Sequence, residues 1–126
     1  MDPFKTAGAF SWNELMTTDP EAAKAFYGPL FGWTFSEHPI ENGVYHVGAV
    51  GEAALCGIMK IGPEMAPMPP AWGSYVTVDD ADASAKKAVE LGGKLLAGPF
   101  DIPQVGRMAV LQDPQGAVIS VMAYSS

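Results

Sequence analysis

One carboxylate among apolar side chains is the first chemical signal in the sequence. Residues 8 to 17, GAFSWNELMT, alternate so that Glu14 shares a strand face with Phe10, Trp12 and Met16. Burial on such a face disfavours the charged carboxylate unless a cation or several donors satisfy it. Glu14 is therefore a candidate general base or ligand anchor.

Arg107, in VGRMAV, is a candidate partner for that carboxylate. A guanidinium binds a carboxylate through two parallel hydrogen bonds. In a functional site Glu14 would act as base or anchor, and Arg107 would hold an anionic or carbonyl group of a ligand. The alternatives are a buried structural pair, or an Arg107 that points into solvent.

The elements that position Glu14 follow a β-α-β-β-β order over residues 8 to 61. Thr18 or Asp19 can cap a helix that Pro20 opens and that we expect to end by Gly28-Pro29. The segments WTFSEHPI and VYHVGAV then flank the turn Glu41-Asn42-Gly43, which predicts a hairpin. AALCGIMKI is predicted to be the fourth strand.

A similar sequence segment occurs in each half of the chain. MTTDPEAAKAFYGPLFGW at residues 16 to 33 aligns with TVDDADASAKKAVELGGK at 77 to 94, so that Asp80 falls 61 positions after Asp19. Residues 62 to 71 hold four prolines and are predicted to link the copies. A second module, residues 72 to 124, repeats the order, with a helix over Asp80 to Leu91. We predict a single domain over residues 1 to 126.

Composition narrows the classes of partner. The chain carries 14 acidic and 7 basic residues, a net charge of −7, which disfavours nucleic acid and anionic membranes. Cys56 is the single cysteine, which excludes an intramolecular disulfide, and no secretion signal or membrane-spanning run is present. We expect a cytoplasmic protein with a small-molecule ligand.

Several phrases resemble the vicinal oxygen chelate superfamily, which includes glyoxalase I, bleomycin-resistance proteins and extradiol dioxygenases. They are DPEAAKAFYGPLFGW, FSWNEL, AALCGIM and AGPFDIPQVGRMAVLQDPQGAVISV, and they look most like its poorly characterised glyoxalase-like branch. The resemblance implies an α+β fold in which two βαβββ modules form one open, cup-shaped mixed sheet with the helices outside. It also implies a homodimer.

The resemblance further locates the four positions from which metalloenzymes of the superfamily hold a divalent ion. They fall on Trp12, Gly73, Ser120 and Gly57, or on Met59 in place of Gly57 if the repeat spacing is kept. None of these is a credible ligand for such an ion. The prediction is a cup with no metal site and no cofactor. His38 and His46, both near the hairpin, are predicted to be ordinary strand residues.

Family orientation of the strands gives the expected lining of the cup. We predict that Trp12 lies opposite Gly73, while Ile119 and Val121 pack beneath a helix. An apolar lining with a few polar groups is typical of a small-molecule pocket, although the aromatic residues could also simply fill the space. The predicted lining comprises Phe10, Trp12, Glu14, Met16, Tyr75, Thr77, Val118, Ser120 and Met122.

Three functions follow from these observations. The first is a bleomycin-resistance-like protein that binds a small, partly apolar ligand without metal. The second is a metal-independent lyase or isomerase with Glu14 as general base and Arg107 or Tyr75 as electrophile. The third is a metalloenzyme whose ligands have moved to His38, His46 or Glu14.

Overall fold

The computed structural model describes residues 1–40, 43–62 and 69–125. These residues form two compact units, one of Trp12–Gly73 and one of Met1–Ser11 with Ser74–Ser126. The N-terminal segment belongs to the second of these units. Within that unit the Gly8 N–H donates to the Thr77 carbonyl oxygen, and the Thr77 N–H donates to the Ala9 carbonyl oxygen.

The first module holds four strands and one helix. They are β1 (Phe10–Thr17), α1 (Pro20–Phe31), β2 (Thr34–Ile40), β3 (Gly43–Val50) and β4 (Ala53–Lys60). Strands β1 and β4 are parallel neighbours, and Glu14 lies in register with Gly57. The other neighbouring pairs are antiparallel, and the strand order is β2-β3-β4-β1.

The second module repeats this plan. The elements are β5 (Ala71–Thr77), α2 (Ala81–Glu90), β6 (Lys94–Ile102), β7 (Gly106–Gln112) and β8 (Val118–Tyr124), and a short 3-10 turn at Pro3–Lys5 precedes β1 in the chain. Strands β5 and β8 are parallel, Tyr75 lies in register with Ser120, and the strand order is β5-β8-β7-β6.

The predicted α+β class and the two βαβββ modules are confirmed. The hairpin between β2 and β3 is present, with Ile40 in register with Gly43, while residues 41 and 42 of its turn lie outside the described residues. Residues 63–68 of the predicted linker also lie outside them. No helix in the described part of the chain is long and apolar enough to cross a membrane.

The first helix is longer than the sequence predicted. It does not end by Gly28-Pro29 but continues to Phe31 with Pro29 inside it. A proline ring normally strains a preceding helical residue through its Cβ, and Gly28 has no Cβ. The helix ends at Gly32, whose left-handed φ of 72° lets its N–H donate to the Gly28 carbonyl at 2.8 Å.

The two helices pack very differently. The α2 residue Ala85 is buried with Leu111 and Val121 in a small core against which Ile119 packs, as predicted for Val121 and Ile119. The α1 helix has no buried residue and leaves Phe26, Leu30 and Phe31 more than half exposed. The first module therefore has a helix-bearing face that is aromatic and partly open.

Candidate functional site

Glu14 is buried on the helix-free face of the first module. Glu14 is only 8% exposed, although carboxylate side chains normally lie in solvent. Strand alternation separates it from Asn13, which lines a cavity with Tyr27 of α1 on the other face. Phe10, at the start of the same strand, is 65% exposed, while Trp12 and Met16 are partly buried.

Tyr45 of β3 joins Trp12 to Glu14. The indole N–H of Trp12 donates to the Tyr45 hydroxyl oxygen at 2.8 Å, and that hydroxyl donates to Glu14 Oε2 at 2.9 Å. Burial, and then the charge of Glu14, raise the pKa of the Tyr45 phenol far above its usual value. Tyr45 is therefore a neutral donor at physiological pH, and it orients the carboxylate of Glu14.

Gly57 makes room for the Tyr45 ring. Gly57 lies beside Glu14 in the sheet, and a Cβ at that position would overlap the Tyr45 hydroxyl and Cζ and lie 2.9 Å from Cε1. Only glycine leaves this volume open for the phenol. One of the positions at which the resemblance implied a metal ligand is thus filled by a tyrosine from the neighbouring strand.

The strand register decides between Gly57 and Met59. Glu14 pairs with Gly57 in the first module, and Tyr75, the repeat counterpart of Glu14, pairs with Ser120 in the second. Gly57 is therefore the structural counterpart of Ser120. The repeat spacing is two residues longer at the last strand than at the first.

The second module carries a related arrangement made of different groups. The Tyr75 hydroxyl donates to the Met108 sulfur at 3.5 Å, and Met108 occupies in β7 the position that Tyr45 occupies in β3. The first module thus sets a phenol against a carboxylate, whereas the second sets a phenol against a thioether. Of these two arrangements, only the one in the first module contains a carboxylate.

The other predicted lining residues of the second module vary in exposure. Thr77, Ser120 and Met122 are buried, and the Thr77 hydroxyl donates to the Pro3 carbonyl oxygen at 2.7 Å. Val118, at the start of β8, is 54% exposed. The N-terminal segment therefore accepts the hydrogen bond that the Thr77 hydroxyl donates.

Arg107 has partners other than the one predicted. Its Nε and Nη2 donate to the two carboxylate oxygens of Asp82 at 2.7 and 3.2 Å, and its Nη1 lies 3.2 Å from Asp101 Oδ1. The Arg107 hydrogen bonds lower the pKa of the Asp82 carboxyl. These contacts form an exposed ion pair between α2 and the sheet, and the role of Arg107 as a ligand anchor stays a prediction.

Glu14 and His46 cannot share one metal ion. Val47 is in register with Gly57, as is Glu14, so Val47 and Glu14 lie on one face and His46 on the opposite one. Of the three residues named for a relocated metal site, Glu14 and His46 therefore belong to separate faces of the sheet. His38 lies in an exposed position, with its Nε2 3.0 Å from the Ser36 hydroxyl.

A second aromatic pair lies on the helix-bearing face. The Trp72 indole N–H donates to the Tyr27 hydroxyl at 3.0 Å, beside Phe31 and Trp33. These side chains, with the buried Cys56, line a cavity of about 420 Å³. The expected packing of Trp12 against Gly73 is absent, because no described atom lies within 4 Å of a Cβ built at Gly73.

Tyr45 is the site residue that the sequence did not reveal. The alternation in VYHVGAV does place Tyr45 and Val47 on one strand face. A register that sets this face beside Gly57 and Glu14 would have suggested the contact. Sequence alone does not give that register, because strand pairing depends on the whole sheet.

Comparisons with known proteins agree with this fold. Residues 9–121 match the family model of the Glyoxalase/Bleomycin resistance protein/Dioxygenase superfamily. The chain is 48% identical over 116 residues to a Mycobacterium bovis protein named "Putative glyoxylase CFP32", covering 91% of this chain and 44% of that protein. It is 35% identical over 127 residues to "Anthracycline biosynthesis protein DnrV" of Streptomyces peucetius, covering 90% and 46%.

Solved structures extend the likeness of fold. Methylmalonyl-CoA epimerase from Mycobacterium tuberculosis superposes with a TM-score of 0.69 at 14% identity, over 97% of this chain and 92% of that one. Hypothetical protein BH1468 from Bacillus halodurans superposes with a TM-score of 0.71 at 10% identity, over 96% and 97%. The chain spans just under half the length of the curated relatives. The family match and these relatives show that the chain belongs to the Glyoxalase/Bleomycin resistance protein/Dioxygenase superfamily.

Proposed function

We propose that the chain binds a small, partly apolar molecule on the helix-free face of its first module, without a metal ion. The observation that carries the proposal is the hydrogen-bonded series of the partly buried Trp12 and Tyr45 with the buried Glu14. Side chains locked by mutual hydrogen bonds pay little entropy when a ligand binds.

Each of the three side chains would have its own role in ligand binding. The Trp12 ring supplies apolar surface, and Glu14 accepts a hydrogen bond from a hydroxyl or amine of the ligand. Tyr45 holds the carboxylate in place through Oε2. A buried carboxylate used in this way favours ligands that carry a donor beside an apolar body.

A thermal-shift screen with matched variants tests this function. Compounds that bind the folded chain raise its melting temperature by mass action. We expect compounds that stabilise the wild-type chain and Tyr27→Phe, but not Glu14→Gln or Tyr45→Phe, each compared with its own ligand-free melting temperature. Tyr27→Phe is the matched control because it removes the hydroxyl of the other indole–phenol pair. Equal stabilisation of all four proteins would contradict the proposal.

A second candidate is proton transfer at an acidic C–H group, with Glu14 as general base. It is supported by the oriented carboxylate and by the likeness in fold to methylmalonyl-CoA epimerase. Deuterium exchange tests it directly. After incubation with methylmalonyl-CoA in D2O, NMR should show deuterium at the α-carbon with the wild-type chain and none with Glu14→Gln. No exchange above the protein-free rate would contradict this candidate.

The homodimer and the absence of nucleic-acid and membrane partners stay predictions. The exposed aromatic face of α1 favours association, because contiguous apolar surface tends to be buried between molecules. Light scattering over a wide concentration range should give a dimer mass. A constant monomer mass would contradict the dimer.

A further inference from the structure

Three potential metal ligands converge on the helix-bearing face of the first module. They are Glu21 of α1, Glu37 of β2 and His46 of β3, and their ligand atoms all lie within 4.8 Å of one another. Glu37 Oε2 is 4.0 Å from His46 Nδ1. This cluster lies on the face opposite Glu14, so it is separate from the positions considered for the cup.

His46 provides an independent sign of a ligand. Its side chain is 6% exposed, and its Nδ1 has no hydrogen-bond partner among the described residues. A buried polar atom without a partner is costly and uncommon in folded proteins. This nitrogen is the one that lies 4.0 Å from Glu37, so it is directed toward the carboxylates.

Lys24 already places a positive charge between the two carboxylates. Its Nζ lies 2.8 Å from Glu21 Oε2 and 3.2 Å from Glu37 Oε2. An ammonium can only donate hydrogen bonds, whereas a metal ion accepts electron pairs from carboxylates and imidazole together.

We propose that Glu21, Glu37 and His46 bind Zn²⁺ in competition with the ammonium of Lys24. One imidazole nitrogen and two carboxylate oxygens form a ligand set that suits this ion. In a tetrahedral site the ligand atoms stand about 3.4 Å apart, so the carboxylates must move inward by roughly 1 Å. Both Glu side chains are exposed and free to do so, at 71% and 60%.

The site is open to an entering ion. Glu21 and His46 both line a cavity of about 260 Å³, which begins beside Pro20 at the start of α1. The bound ion would join α1 to β2 and β3. Because α1 has no buried residue, such a cross-link would hold the helix more firmly on its sheet.

Zinc titration of the chain, without a histidine tag and after chelator treatment, tests the site. Equilibrium dialysis should give one Zn²⁺ per chain, and Zn²⁺ should raise the melting temperature. Glu37→Gln and His46→Gln should each weaken binding by roughly tenfold or more, since each removes one ligand. Lys24→Met should instead tighten binding, because it removes the competing charge.

His38→Gln is the matched control, since His38 is the other histidine and lies outside the cluster. It should bind Zn²⁺ as the wild type does. If His46→Gln does not fold, Glu37→Gln decides, because Glu37 is exposed. The proposal is overturned if the wild-type chain does not bind Zn²⁺, if Glu37→Gln binds as tightly as wild type, or if Lys24→Met binds no more tightly.

Discussion

The compact unit of Trp12–Gly73 contains two indole–phenol hydrogen bonds in very different surroundings. Trp12 donates to Tyr45 on the helix-free face, and Trp72 donates to Tyr27 on the helix-bearing face. Tyr45 passes its own hydrogen bond to the buried Glu14, whereas Tyr27 lies in an exposed cluster of aromatic rings. The same two residue types thus orient a carboxylate in one place and form apolar surface in the other.

The two hydrogen bonds depend on different surroundings. The Trp12 pair depends on Gly57 in the next strand, which leaves room for the phenol, and on the Glu14 carboxylate, which accepts the hydrogen bond of the phenol. The Trp72 pair depends on contacts between aromatic rings. Tyr27 stacks on Phe31, and Trp72 contacts Trp33 edge to face. Changes to the first pair should therefore disturb stability and ligand binding together, while changes to the second should disturb mainly the surface.

Gly57→Ala should have the largest effect, because it breaks the first pair from the sheet side. The added methyl group overlaps the Tyr45 phenol, so that ring must leave and both of its hydrogen bonds are lost. We expect a loss of about 3 kcal/mol in the free energy of unfolding, measured by urea titration.

Gly73→Ala provides the control, since no described atom lies within 4 Å of its added Cβ. Its unfolding free energy should stay within about 1 kcal/mol of wild type. If Gly57→Ala is as stable as Gly73→Ala, the position of the Tyr45 ring is wrong.

Tyr45→Phe should have the next largest effect. It removes a donor from the buried Glu14 carboxylate and an acceptor from Trp12, at a cost of about 2 kcal/mol. Tyr27→Phe, which removes one exposed hydrogen bond, should cost about 0.5 kcal/mol. Chemical denaturation of both variants checks the contrast. Equal losses would remove the distinction between the two pairs.

Alkaline pH should reveal a smaller effect of the same phenol. Because the folded-state pKa of Tyr45 is raised, the folded chain keeps a proton that the unfolded chain loses above about pH 10. This contribution to stability is fully present below that pH and is lost as the pH rises further.

Between about pH 9 and 11, wild type should therefore lose up to roughly 1 kcal/mol more than Tyr45→Phe. Cys56 and Tyr124 also have raised pKa values, but they are present in both proteins and cancel in the comparison. Tyr27→Phe should follow the wild-type curve. A Tyr45→Phe variant with the full wild-type loss would show that another group causes it.

Local patterns predicted most of the fold and part of the site. The repeated phrase and the caps Asp19 and Asp80 indicated two βαβββ modules, because capping and alternation are properties of short segments. The end of α1 was missed because glycine before Pro29 relieves a clash that usually stops a helix.

The site was less predictable because its partners come from separate strands. Alternation placed Glu14 with Trp12, but the pairing of Glu14 with Tyr45 depends on the β1, β4 and β3 register. Arg107 matched Glu14 in charge, yet Asp82 and Asp101 hold its guanidinium. Complementary charge along a sequence does not determine which groups meet in the fold.

Fluorescence titration of two tryptophan variants tests the central claim, which is that ligands bind at the Trp12 pair. The most strongly stabilising compound from the screen would be titrated into Trp12→Phe and Trp72→Phe, with wild type alongside. Wild type and Trp72→Phe should show the ligand-dependent change in emission, and Trp12→Phe should not, because an indole reports on groups that contact it. A change that persists in Trp12→Phe and disappears in Trp72→Phe would contradict the account and place the ligand on the aromatic, helix-bearing face.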